Sequence, residues 1–214
     1  MQRPAFPVID AAARARSSLA LRGWLPVWDV ERRRVELDEV IAWTLGRLHA
    51  WGVEATSLSE LALPGERARA LAQDLTRASV SPELRRPLHR ALRTMLPELP
   101  WERILVQTHP QFRVLTPGDD QAPVPPHTDH GFGHALDERN VWLALTDARG
   151  SNALHLWSLG ESLAWHGGAV SLVGVQHGVT GLRPVDVQCG DALLFTPLHL
   201  HGARVAHGDR KSTR

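Results

Sequence analysis

The sequence predicts a mainly β fold with α-helical support, in which a double-stranded β-helix (jelly-roll) barrel carries the chemistry. The main observation is a change of pattern near Trp101. Before it, apolar residues recur at helical spacing; after it, short apolar segments alternate with glycine, proline and aspartate. A second observation is that only His49 and His89, of twelve histidines, lie in the first hundred residues. We therefore expect a mostly helical supporting region over residues 1–100, packed outside a catalytic barrel over residues 101–214.

Three segments of the first region are predicted to be helical. Residues 35–52 carry apolar side chains at helical spacing. Ser57 and Glu60 form a capping pattern at the start of the second segment, which Pro64 is expected to divide into a short turn and a longer helix. The third segment places Pro82 at its first helical position. Its apolar stripe consists of Leu84, Leu88, Leu92 and Leu96.

Short strands are predicted throughout the second region, because segments of five to seven residues are separated by glycine, proline and aspartate and not by long helices. The expected strands cover residues 103–108, 111–116, 124–129, 140–146, 153–158, 169–175, 184–188 and 191–196, with a last piece from about residue 201. In the segment 140–146, strand alternation puts Asn140, Trp142, Ala144 and Thr146 on one face. This mixed polar and aromatic face is suited to the barrel lumen.

Composition excludes several classes of function. The chain is 43% hydrophobic and 22% charged, as in a globular protein, and its formal net charge is +1, which gives no indication of nucleic-acid binding. Cys189 is the only cysteine, so an internal disulfide and a cysteine-rich zinc site are both excluded. There is no tyrosine, which excludes any mechanism that needs a phenol. The N-terminal segment interrupts its apolar residues with arginine and aspartate, so we expect no membrane segment and a cytoplasmic location.

The segment 125–134, PPHTDHGFGH, concentrates metal-ligand side chains. On a strand, His127 and Asp129 project to the same side, since residues i and i+2 share a face. A third ligand from another strand would complete a site of two histidines and one carboxylate, which suits non-haem Fe(II). His201 is the preferred third ligand, and His199, two residues earlier on the same predicted face, is the alternative.

Beyond these ligands, the sequence from residue 103 to 214 resembles a bacterial branch of the Fe(II)/2-oxoglutarate-dependent dioxygenases, the streptomycin-biosynthesis type related to phytanoyl-CoA hydroxylases. The branch pattern runs H-x-D-x-x-Y-G-H, E-x-N-x-W-x-P-L-T, G-x-N, H-G and T-R. It is matched at His127, Asp129, Gly133, His134, Glu138, Asn140, Trp142, Leu145, Thr146, Gly150, Asn152, His201, Gly202, Thr213 and Arg214. The chain departs from the pattern at Phe132, where tyrosine is usual, and at Ala144, where proline is usual.

The resemblance implies Fe(II) held by His127, Asp129 and His201, with 2-oxoglutarate as co-substrate and dioxygen as oxidant. It implies that Arg214 binds the far carboxylate of 2-oxoglutarate, with Arg210 and Lys211 as rivals. Asn140 and Thr146 are expected to contact co-substrate or substrate, and a further barrel strand is expected beyond residue 214. An aspartate ligand in place of a small residue favours hydroxylation, desaturation or ring closure over halogenation. The expected substrate is a small specialised metabolite, as in antibiotic biosynthesis.

Two other functions fit the same pattern. A cupin-type metalloenzyme would use His199 and His201 together and would not need 2-oxoglutarate. A non-catalytic ligand-binding barrel would have no tight iron site.

Overall fold

The computed structural model describes residues 30–95, 105–115, 125–136, 138–166 and 183–203. Its helices are α1 (Asp38–Ala50), α2 (Gly65–Ala78), α3 (Pro82–Met95) and α4 (Leu159–His166). Its strands are β1 (Glu31–Arg34), β2 (Asn140–Leu143), β3 (Leu154–Leu156), β4 (Arg183–Val185), β5 (Asp191–Phe195) and β6 (His201–Gly202). No helix in these ranges has the length and apolar character needed to cross a membrane.

The predicted helices of the first region are confirmed with shifted ends. The segment predicted over 35–52 forms α1, and the Glu60 carboxylate accepts hydrogen bonds from the backbone N–H groups of Thr56 (2.9 Å) and Ser57 (3.2 Å). This contact accompanies a 3₁₀ turn at Leu58–Glu60, and α2 starts directly after Pro64, so the expected division is present. Helix α3 begins at Pro82, as predicted. Its leucine stripe is buried at Leu84, Leu88 and Leu92, and Leu96 lies outside the described residues.

Two antiparallel three-stranded sheets follow from the strand pairing. The first has the order β1-β5-β2, in which Arg34 pairs with Asp191 and Asn140 pairs with Phe195. The second has the order β4-β3-β6, in which Leu156 pairs with His201. Closure of these sheets into a jelly-roll barrel stays a prediction, since the described residues form no closed barrel.

The first sheet has a different apolar cluster on each face. Side chains from α1 and α3 pack against Ala192 and Leu194 of β5, with Val141 and Leu143 of β2 alongside. On the opposite face, Leu193 packs with a cluster that includes Trp142 and Ala144. The alternation predicted for residues 140–146 is therefore present, and the helices cover the face that carries Val141, Leu143 and Leu145.

Three parts of the strand prediction differ from the structure. Residues 105–115 form no strand, because Phe112 and Val114 pack against Leu71 and Leu75 of α2, and the Phe112 N–H donates to Thr76 Oγ1 (3.0 Å). In the segment 124–129, the described residues pair only through one bridge at His127. Strand β1 is an addition that the sequence pattern did not indicate. The strand predicted over 169–175 lies outside the described residues.

Candidate metal centre

The backbone of His127 is anchored to β6. His127 and His201 form an antiparallel bridge with two backbone hydrogen bonds. The N–H of His127 donates to the carbonyl of His201 (2.8 Å), and the N–H of His201 donates to the carbonyl of His127 (2.9 Å). Directly opposed residues of an antiparallel pair carry their side chains on the same side. The bridge therefore brings together two imidazoles that are separated by 74 positions in the sequence (201 − 127).

Asp129 reaches the same side through one extended residue. Thr128 has φ −117° and ψ 136°, and its side chain is buried on the other side of the chain. The predicted i, i+2 relationship of His127 and Asp129 thus depends on Thr128. The sequence had suggested that Asp129 lies within a strand. In the structure it instead begins a 3₁₀ turn, Asp129–Phe132, which is followed by Gly133 with φ 93°.

The three predicted ligands converge on one point. The Nε2 atom of His127 lies 3.2 Å from Oδ1 of Asp129, and the Nε2 atom of His201 lies 3.6 Å from Oδ2. One ligand atom from each residue lies within 4.8 Å of the other two. The ring centroids of the two histidines are 4.3 Å apart. This is a donor set of two imidazoles and one carboxylate, drawn from two segments of chain.

Both histidines are held with Nε2 available as a ligand. Nδ1 of His127 lies 2.8 Å from the carbonyl oxygen of Pro125, and Nδ1 of His201 lies 2.9 Å from that of His199. A carbonyl oxygen only accepts, so each Nδ1 carries a proton and donates it, and Nε2 is the nitrogen that a neutral ring would offer to a metal. Hydrogen bonds of this kind orient metal-binding histidines.

The charge state of the site suits a cation. Burial lowers the pKa of His201 to about 4, although the Asp129 carboxylate acts in the opposite direction. Burial alone would raise the pKa of Asp129, but its contacts with His127, His201 and Asn140 lower it below the ordinary value. Asp129 is therefore ionised at neutral pH, and it lies beside two imidazoles. The residues present thus fit a divalent metal, and a donor set of two nitrogens and one oxygen is one that suits Fe(II).

His199 occupies a different environment from His201. Its ring is buried, and Nδ1 accepts a hydrogen bond from the backbone N–H of Thr196 (3.1 Å). The backbone N–H of His199 in turn donates to the carbonyl of Thr196 (3.0 Å). His199 thus holds a tight turn before β6, and among the described residues the ligand cluster includes His201 and not His199.

The two residues expected to contact co-substrate are placed differently. Asn140, at the start of β2, donates from Nδ2 to Oδ2 of Asp129 (2.5 Å). Thr146 follows the C-terminal end of β2, at the end of the strand opposite to Asn140. Between β2 and Thr146, the Ala144 N–H donates a hydrogen bond to the Asp191 carbonyl (2.9 Å). The role of Thr146 stays a prediction without a contact to the triad in its support. Arg214, Arg210 and Lys211 lie outside the described residues.

Other polar groups surround the cluster. His134 contacts Glu138 (Nδ1 to Oε2, 2.7 Å) rather than a ligand, which indicates that it stabilises the loop after the 3₁₀ turn. Burial lowers the pKa of Arg113, and the charge of Asp129 opposes that lowering, so this guanidinium lies within electrostatic reach of the cluster.

Phe132 and Pro125 are contributors that the ligand pattern did not identify. Phe132 is 55% exposed, and its ring meets that of His127 edge-on, with centroids 5.6 Å apart. The exposed ring gives the site an apolar rim. The sequence signal for Phe132 was its departure from the motif pattern, which usually has tyrosine at this position. The Pro125 carbonyl has no side-chain signature, because its role depends on the backbone alone.

Comparisons of the chain with protein-family models, with curated proteins and with solved structures find no match. The chemical interpretation therefore depends on the geometry of the site. Two imidazoles and one carboxylate within 4.8 Å of one another form a donor set that could hold a divalent metal ion.

Proposed function

We propose that this protein is a non-haem Fe(II)/2-oxoglutarate-dependent oxygenase that hydroxylates or otherwise oxidises a small metabolite. The observation that carries the proposal is the convergence of His127, Asp129 and His201 within 4.8 Å, with both Nε2 atoms facing the carboxylate. The motif resemblance of residues 103–214 supports the same assignment. We also propose that the protein is cytoplasmic, as the sequence led us to expect.

Each ligand has a distinct task in the proposed site. His127 and His201 supply neutral nitrogen donors whose orientation is set by backbone carbonyls. Asp129 supplies negative charge that offsets part of the charge of the metal. Bound Fe(II) of this type supplies the activation of dioxygen, with 2-oxoglutarate as the source of two electrons.

The remaining groups bind the organic ligands. A planar guanidinium forms paired hydrogen bonds with a carboxylate, so Arg214 is proposed to bind the far carboxylate of 2-oxoglutarate. The exposed ring of Phe132 beside His127 provides an apolar contact for substrate. The substrate class that the resemblance favours is a specialised metabolite such as an antibiotic intermediate.

The test is an anaerobic titration of the purified protein, first with Fe(II) and then with 2-oxoglutarate, followed by visible absorbance. We expect Fe(II) binding, and then a new absorption band when 2-oxoglutarate chelates the metal. His127→Ala should abolish both steps. His130→Ala is the matched control, because His130 is exposed on the 3₁₀ turn that follows His127 and its Nδ1 contacts the His134 carbonyl (3.1 Å) and not a ligand.

Two results would contradict the proposal. Metal binding without a response to 2-oxoglutarate would indicate a cupin-type metalloenzyme. Absence of metal binding would indicate a ligand-binding barrel without iron chemistry. Formation of succinate that depends on a substrate would establish the reaction itself.

A further inference from the structure

Asn140 touches the candidate carboxylate ligand directly. Its Nδ2 donates to Oδ2 of Asp129 at 2.5 Å, across eleven positions in the sequence. An ionised carboxylate only accepts hydrogen bonds, so the amide group of Asn140 must present its NH₂ to Asp129. The contact is partly buried, which makes the loss of this bond costly for the carboxylate.

The backbone under this contact is well anchored. Asn140 pairs with Phe195 of β5, the central strand of the first sheet, in which every residue is buried. Phe195 also packs its ring edge-on against His201, with centroids 5.0 Å apart. Asn140 therefore connects β5, whose Phe195 packs against His201, to the carboxylate of Asp129.

The two oxygens of Asp129 consequently have different surroundings. Oδ2 accepts the Asn140 amide and lies 3.6 Å from Nε2 of His201, whereas Oδ1 lies 3.2 Å from Nε2 of His127. Nδ1 of each histidine is directed at a backbone carbonyl, and Asn140 is the amide donor that contacts the carboxylate. A hydrogen bond from an anchored strand fixes the plane of the carboxylate, and with it the direction in which its oxygens face the two histidines.

We infer that Asn140 is a positioning residue that holds the Asp129 carboxylate in the orientation in which it faces His127 and His201. This inference rests on the proposed metal site, and it differs from the expectation that Asn140 binds co-substrate. A metal at this site would meet a carboxylate that is already held in place, so its affinity would depend on Asn140.

The experiment compares Asn140→Leu and Asn140→Ala, which remove the donor, with Asn140→Gln, which keeps an NH₂ group. Asn152→Ala is the matched control, since Asn152 is an exposed asparagine in a 3₁₀ turn. Circular dichroism establishes folding of each variant. The measurements are the anaerobic affinity for Fe(II) alone, the ligand-field absorption bands of the Co(II)-loaded protein, and the affinity of the Fe(II)-loaded protein for 2-oxoglutarate.

We expect Asn140→Leu and Asn140→Ala to weaken Fe(II) binding about 10–100-fold, the usual effect of removing a partner of a metal ligand. Their Co(II) bands should shift, because the carboxylate would no longer be held in a fixed orientation. Asn140→Gln should recover part of the affinity, and Asn152→Ala should match the unmodified protein. A loss of folding alone would leave neither a shifted Co(II) spectrum nor a rescue by glutamine.

Two outcomes separate this inference from the proposed function. If the unmodified protein binds Fe(II) and 2-oxoglutarate, and Asn140→Leu changes only the affinity for 2-oxoglutarate, then Asn140 is a co-substrate contact and the inference is wrong. If the unmodified protein binds no Fe(II), the proposed function fails and the inference fails with it.

Discussion

At the residue scale, the two late histidines provide the sharpest contrast. His201 faces Asp129, whereas the ring of His199 is fully buried and bonds to the turn that begins at Thr196. We predict that His201→Ala lowers Fe(II) affinity by at least about 100-fold, because it removes one of three protein ligands. His199→Ala should retain Fe(II) binding and lose about 1–3 kcal/mol of stability, the cost of leaving buried polar groups unsatisfied.

Anaerobic Fe(II) titration and urea unfolding of the two variants measure these effects. A larger loss of affinity in His199→Ala than in His201→Ala would reassign the third ligand.

The candidate ligands themselves were predictable from sequence, and the choice between the two histidines was not. Alternation placed His127 and Asp129 together because Thr128 is extended. The same alternation treats His199 and His201 alike. The two histidines differ because the Thr196 N–H donates a hydrogen bond to Nδ1 of His199 and so holds that ring against a turn. The spacing of residues in the sequence does not predict this bond.

Gly202 is a second residue whose role the structure defines. Its φ is not positive, so the backbone conformation does not require glycine at this position. Its importance is steric: a Cβ at this position would lie 3.0 Å from the Pro126 backbone and 3.1 Å from the carbonyl carbon of Pro125. A side chain at position 202 would require the backbone of Pro125 and Pro126 to move away from β6 by a few tenths of an ångström, next to the His127–His201 bridge.

We predict that Gly202→Ala destabilises the protein by about 1–3 kcal/mol, as overpacking does, and weakens Fe(II) binding by displacing His127. Urea unfolding and anaerobic Fe(II) titration are the measurements. Gly160→Ala in α4 is the control, because nothing lies within 4 Å of a Cβ there. Unchanged Fe(II) affinity in Gly202→Ala would show that the close approach does not position His127.

At the scale of elements, strand β1 shows why part of the fold was not predictable. Its sequence, ERRR, lacks the alternation of apolar and polar residues that marks a strand. It pairs with β5 through four register positions, and Arg32 forms an ion pair with the buried carboxylate of Asp191. The strand thus depends on a partner about 160 residues away, which a local pattern cannot report.

Asp191 is the residue through which this pairing can be tested. Burial alone would raise its pKa, but hydrogen bonds from Arg32 and from the Gln188 N–H lower it below the ordinary value. A carboxylate whose pKa is lowered by folding stabilises the folded state above its unfolded pKa of about 3.9. That stabilisation is lost as the pH falls through the lower, folded pKa.

We predict that Asp191→Asn costs about 1–3 kcal/mol at pH 7, since it weakens charge-assisted bonds to a buried group. The difference between variant and unmodified protein should shrink as the pH approaches 4 and below. Urea unfolding at a series of pH values measures this, with the exposed Glu36→Gln as control. A difference that is independent of pH would show that the charge of Asp191 does not stabilise the β1–β5 pairing.

The strand predicted over residues 111–116 is not formed by its described part, residues 111–115. Its alternating apolar residues, Phe112 and Val114, face helix α2 instead of a neighbouring strand. Alternation identifies which side chains are buried, but not whether a helix or a strand covers them.

At the scale of the whole molecule, helices and sheets have separate tasks. The described helices α1 and α3 cover one face of the first sheet, while the candidate ligands come from the segment 127–129 and from β6. Helical spacing in the first region predicted these helices, and ten of the histidines lie in the second region. A separate catalytic barrel over residues 101–214 stays a prediction, because its closure depends on pairing between distant segments that short strands alone do not specify.

This organisation couples metal binding to global stability. The three ligands come from two segments, and a metal bound to the folded state alone stabilises it by RT ln(1 + [metal]/Kd). At about 100 times the Kd this amounts to roughly 2.7 kcal/mol, which corresponds to a rise in Tm of roughly 5–10 °C for a protein of this size. We predict that rise for the unmodified protein in anaerobic Fe(II), measured by thermal unfolding. Because His201→Ala lacks one ligand, its Tm should rise by only a small fraction of that value, whereas His130→Ala should behave as the unmodified protein does. An equal rise in all three proteins would place the stabilising metal elsewhere, and no rise in the unmodified protein would contradict a metal centre that joins the segment at His127 to β6.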